Sequence, residues 1–212
     1  MILFAISCVS TPYVDAHPQH VRLLRCRSDA VVRLLRDDAA YVADTLVAQK
    51  ALAHHEGMYA GWLPCRAKMS AMDTFVLDVY QDAVPDYYDV NGLPFSPYNP
   101  TPAFLAEHNR LPRRCLADLQ ADWLEVDALL TARGTRKCLC LLQPARNPDP
   151  DTRCFHTLCA LSMVATLAPR GWDVVLVPPD APMHTDGSWV HYDPAWLQDF
   201  VQSALRLSTV AP

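Results

Sequence analysis

The 212-residue chain has no Cys-x-x-Cys pair, no excess of basic residues, no internal repeat and no apolar run of membrane-spanning length. Each absence closes a class of reading. Without paired metal-ligand spacing the eight cysteines do not spell a zinc site, even though Cys138 and Cys140 share one side of an expected strand. Most of them sit inside apolar runs, with Cys8 and Cys140 in expected strands and Cys154 and Cys159 in an expected helix, so they read as reduced core thiols. A formal net charge of -5 leaves no electrostatic footprint for DNA or RNA, and no nucleic-acid partner is expected. The opening residues Met1-Ile2-Leu3-Phe4-Ala5-Ile6 carry no basic leader and reach Thr11-Pro12 well short of the roughly 20 apolar residues of a membrane span. They read as the buried first strand of a cytoplasmic protein with no membrane partner. No linker divides the chain, which is expected to be one α/β domain over 1–212 with an insertion at about 38–91. Neither a metal nor a cofactor is expected.

The segment 137–178 carries the clearest signal present. Residues 137–143 form a short apolar run closed by a Pro-rich loop at 144–151. Thr152 is placed to cap a helix through Ala168, Gly171 to stop it, and 172–177 is a second, β-branched strand ending at Pro178-Pro179. Two strands joined by such a helix form a right-handed crossover, and open α/β sheets bind ligands at the carboxyl ends of their strands. The loop 144–151 and the segment after Pro178 are therefore the first places to look for function. In the tail, 180–192 is expected to cross that edge either as a lid or as a hairpin that packs Trp189 against the last helix.

Upstream, Leu23, Leu24, Val31, Leu34 and Leu35 recur at helical spacing from about Gln19 or His20. Arg22, Arg25, Arg27, Arg33 and Arg36 fill the other face, which reads as solvated. A second helix is expected over 38–55. Residues 74–80 have strand character and fit either an insertion hairpin or a sheet strand. Helices are expected at 102–109, at 112–133 with Gly134 closing it, and at 194–207. The whole is expected to be a three-layer, flavodoxin-like α/β fold with a parallel sheet and a helical and hairpin insertion.

Three segments resemble the nucleoside 2-deoxyribosyltransferase-like group. Ser10-Thr11-Pro12-Tyr13 leaves the first strand, Phe95-Ser96-Pro97 looks like a second strand end, and the loop 144–151 occupies the place of the group's substrate loop. The resemblance implies a nucleoside or nucleotide ligand and N-glycosidic bond cleavage or transfer. Tyr13 would then stack on the base, Ser10 would lie on the pocket loop, Asp15 and Ser96 would contact polar groups, and Asp149 or Asp151 would hold the sugar. The group's nucleophile is a glutamate early in the helix after the third strand. Here that helix reads Thr152-Arg153-Cys154-Phe155-His156-Thr157, with Thr157 about where the acid belongs.

Two alternatives stay open. Cys154 near a helix start, followed by the segment Asp186 to Pro194, is similar to transglutaminase-like cysteine hydrolases, in which an aspartate orients the catalytic histidine. His184 and His191 are the candidates, although both lie closer in sequence to Asp193 than that pattern places its histidine. Loop aromatics at Tyr59, Trp62, Tyr87, Tyr88 and Tyr98 suit a non-catalytic interaction protein docking on a protein partner.

Overall fold

A computed structural model describes residues 2–5, 17, 19–22, 27–36, 69–83, 86–90, 93–97, 100–141, 146–185 and 191–207. The chain runs β1 (Ile2–Ala5), β2 (Val21–Arg22), α1 (Ser28–Leu35), β3 (Thr74–Leu77), α2 (Tyr80–Ala83), β4 (Tyr88–Val90), β5 (Leu93–Phe95), α3 (Pro102–Glu107), α4 (Leu116–Ala132), β6 (Arg136–Leu141), α5 (Pro150–Leu167), β7 (Asp173–Leu176) and α6 (Pro194–Leu207). Five strands pair in parallel in the order β2-β1-β3-β6-β7, and β4 and β5 form a separate antiparallel pair. This is the flavodoxin-like order, with its switch point between β1 and β3.

Alternation along the strands divides the core between two faces. Phe75 and Leu77 of β3, with Leu139 and Leu141 of β6, face a large cluster built with α1, α4 and α5. Val76, Cys138 and Cys140 face the opposite way, against Leu197 and Val201 of α6. Helices therefore cover both faces of the sheet, which makes three layers and explains why β3 reads as an unbroken buried run. Burial pushes the Cys138 thiol up to about 12 and that of Cys140 well above its ordinary value, so both pack as protonated core side chains.

Local signals set most helix ends. Asp149 caps α5 by accepting the Thr152 amide at 2.8 Å, with Pro150 at the first helical position. The cap is thus Asp149 rather than Thr152. Gly171 at φ 77° and Gly134 at φ 66° supply the left-handed turns that return the chain to β7 and β6. The amino ends of these strands are clamped by Asp127 of α4, which accepts from Lys137 Nζ at 2.6 Å and from Trp172 Nε1 at 2.8 Å.

Two expectations change. Val21–Arg22 is an edge strand paired with β1, not the start of a helix; two residues are too short to show an alternation, and pairing overrides the helical pattern around them. Of the two alternatives for 74–80, Thr74–Leu77 takes the sheet strand, in the middle of the main sheet and buried on both faces between β1 and β6. Phe95 belongs to the β4–β5 hairpin and not to the parallel sheet. The expected helix at 38–55 lies outside the described residues. In the tail, Met183 bridges Tyr192, and the His184 amide donates to the His191 carbonyl at 2.8 Å, so the two ends of the 180–192 segment pair as a hairpin would.

Leu139 is fully buried between β3 and β7, whereas Leu161 on α5 is 65% exposed. Leu139→Ala is expected to lower the unfolding free energy by about 2–5 kcal/mol, and Leu161→Ala to change it by less than about 0.5 kcal/mol. Urea denaturation of the two variants checks this; equal effects would mean that β6 is not the centre of the core.

Candidate functional site

Each crossover helix runs back against the strand direction, so the N-termini of α1, α4 and α5 all stand at the carboxyl edge of the sheet. A cleft of about 360 Å³ opens there, lined by Arg27, Asp82, Asp86, Tyr87, Arg110, Leu111, Pro112, Arg113 and Arg114. Its size suits a small-molecule site. Four guanidinium groups line it, three of them paired with carboxylates: Arg27 with Asp29, Arg110 with Asp86 and Arg114 with Asp122.

The wall of the cleft is Asp82, on the short helix that follows β3. Its carboxylate accepts the Ser28 amide at 2.9 Å and the Trp123 indole N–H at 3.2 Å, so one buried group caps α1 and anchors α4. Ser28 Oγ in turn donates to Asp122 at 2.9 Å, and Arg114 bonds the same Asp122. Arg27 is held by Asp29 at 3.0 and 2.5 Å. Arg27 and Arg114 are thus fixed, half-buried cations. Arg110 pairs with Asp86 in an exposed contact. Arg113 lies over the Phe155 ring at 4.9 Å and donates to Thr152 Oγ1 at 3.2 Å; among the described residues it forms no ion pair.

The residues expected from sequence scatter around this cleft. Asp149, Asp151 and Cys154 stand exposed in the first turns of α5, within one turn of Thr152, which Arg113 contacts. Hydrogen bonds from Thr152 hold the Asp149 carboxyl below the usual carboxylate range. Ser96 is buried just beyond β5 and does not line the cleft. Ser10, Tyr13 and Asp15 lie outside the described residues. Thr157 returns its hydroxyl to the Arg153 carbonyl at 2.8 Å, and burial pushes the neighbouring His156 down to about 4, which keeps it neutral. Among the described residues no contact joins Cys154 to His184, His191 or Asp193.

Sequence reasoning missed Asp82, Arg110, Arg113 and Arg114, and read Arg27 as part of a solvated face. One signal was available: Arg113-Arg114 directly ahead of a helix start places two cations at the positive end of the helix dipole, against the usual preference. No protein-family model matches this chain, and no curated protein matches it.

Burial raises the Asp82 carboxyl to about 6, against the pull of the hydrogen bonds from Ser28 and Trp123. An acid whose folded value lies above its unfolded value of 3.8 binds extra proton in the folded state between the two. Its stabilising contribution is therefore full below the unfolded value and is lost as pH rises through 6. Between pH 4 and 7 the wild type is expected to lose up to roughly 3 kcal/mol of unfolding free energy relative to Asp82→Asn. Urea titrations of both proteins across that range measure the difference, and parallel pH curves would show that Asp82 is not buried as described.

Proposed function

We propose that the protein is nucleoside- or nucleotide-directed and holds its ligand at the carboxyl edge of the sheet, with N-glycosidic bond cleavage or transfer as its chemistry. The observation that carries this reading is the position of the cleft: an arginine-lined pocket of about 360 Å³ at the edge where parallel α/β sheets take ligands. Nucleotides are among the ligands that need both features, a pocket for an apolar ring and cations for a charged tail. Leu111, Pro112 and Tyr87 supply apolar and aromatic lining beside the arginines. Asp151, exposed in the first turn of α5, is the sugar-contacting carboxylate this reading favours, because Asp149 is engaged as the helix cap.

A second reading, a non-catalytic interaction protein, draws support from a different place. Val174 and Leu176 on edge strand β7 pair with Leu139 and Leu141, so they point to the α5 side of the sheet, where both are exposed, and Leu158 and Leu161 are exposed on the outer side of α5 itself. Exposed apolar side chains of this kind suit a protein contact.

Calorimetric titration with a panel of nucleosides and nucleotides, NAD included, separates the two. The first reading expects saturable binding of at least one compound at micromolar to millimolar concentration. Silence across the panel would remove it and leave the interaction protein.

A further inference from the structure

The four arginines of the cleft are not equivalent. Arg27 and Arg114 are half-buried and satisfied by Asp29 and Asp122, with side-chain exposures of 13% and 18%. Withdrawing either would leave a partly buried carboxylate unpaired, so they act as a fixed wall. Arg110 is 63% exposed and its partner Asp86 49% exposed. An ion pair that open to solvent contributes little to stability, so Arg110 can turn to a stronger acceptor at little cost. Arg113 is exposed, carries its guanidinium 4.9 Å from the centre of the Phe155 ring, donates to the Thr152 hydroxyl and acts electrostatically on Asp149; among the described residues it forms no ion pair. A guanidinium has five N–H donors, and those not given to Thr152 suit forked bonding to an oxyanion.

The N-cap of α4, Cys115, makes no side-chain cap bond, in contrast to Asp149 on α5. The first-turn amides of α4 follow directly on Arg113 and Arg114 in the chain. Two exposed guanidinium groups in front of two fixed ones exceed what a single carboxylate would use. They match the three terminal oxygens and double charge of a phosphate ester.

We propose that this cleft is a phosphomonoester site in which Arg113 and Arg110 grasp the phosphate in front of the wall formed by Arg27 and Arg114. The proposal deepens the reading above and rests on it for the remainder of the ligand, a nucleoside. The ligand class is then a nucleoside monophosphate in preference to a free nucleoside, and Asp86 is the carboxylate displaced on binding.

Calorimetry with adenosine, adenosine 5′-monophosphate, ribose 5-phosphate, inorganic phosphate and acetate tests it on the wild type, Arg113→Ala, Arg113→Lys and Arg36→Ala. Arg36, paired with Glu125 at the far end of α1, controls for lost net charge. The site is expected to bind the three phosphate compounds in preference to adenosine and acetate. Arg113→Ala is expected to weaken them by roughly ten- to a hundredfold, Arg113→Lys by less, and Arg36→Ala by less than about twofold. Should Arg113→Ala and Arg36→Ala behave alike, or acetate bind as well as phosphate, the site is overturned. Adenosine binding as tightly as its monophosphate would overturn the phosphate site and leave the nucleoside reading standing. Arg113-dependent binding of inorganic phosphate with no gain from ribose or adenosine would uphold the site and overturn the nucleoside reading.

Discussion

A single buried carboxylate ties the carboxyl edge of this protein together. Asp82 accepts the first amide of α1 and the indole of Trp123 from α4, which joins α1, α2 and α4. Removing a carboxylate from water costs several kcal/mol, and two or three good donors recover most of it. The position of α1 on α4 follows from this bond, and so does the location of Arg27, which immediately precedes the capped residue Ser28. Asp122 extends the same network to Arg114. The arginine wall is therefore a consequence of how α1 is capped.

The two edges of the sheet are built for different ends. At the amino edge, Lys137, Asp127 and Trp172 satisfy one another, and Lys137 also donates to Thr131 and to the Arg170 carbonyl. That edge is closed by internal pairing. At the carboxyl edge, Arg27, Arg110 and Arg114 are paired with Asp29, Asp86 and Asp122, and among the described residues Arg113 forms no ion pair. Pairing at one end holds the strands, while the other end carries the cation that the proposed ligand would meet.

The parts of the fold that were legible in sequence are those fixed by local chemistry. The unit β6–α5–β7 could be read because each strand is a continuous apolar run, and because Pro150 and Gly171 punctuate the helix between them. The final helix was legible from Pro194 for the same reason. What escaped was decided by partners distant in the chain. Val21 and Arg22 become a strand only because β1 lies beside them, and 74–77 lies at the centre of the sheet through contacts with residues some 60 to 70 positions away on either side. The site was less legible than the fold. Arg27 and Arg113 are 86 residues apart, and nothing local to Asp82 marks it in the sequence, since Ser28 and Trp123, its partners, are 54 and 41 positions away.

Entry of the proposed ligand at the carboxyl edge, against Asp82, is reported independently by two tryptophans. The Trp123 indole N–H bonds Asp82 at the cleft, and that of Trp172 bonds Asp127 at the opposite edge. Proton–nitrogen correlation spectra recorded during titration with adenosine 5′-monophosphate follow both signals at once. The account predicts that the Trp123 indole resonance shifts progressively to saturation while that of Trp172 stays in place. A moving Trp172 signal with an unchanged Trp123 would contradict it, and would place the functional edge at the other end of the sheet.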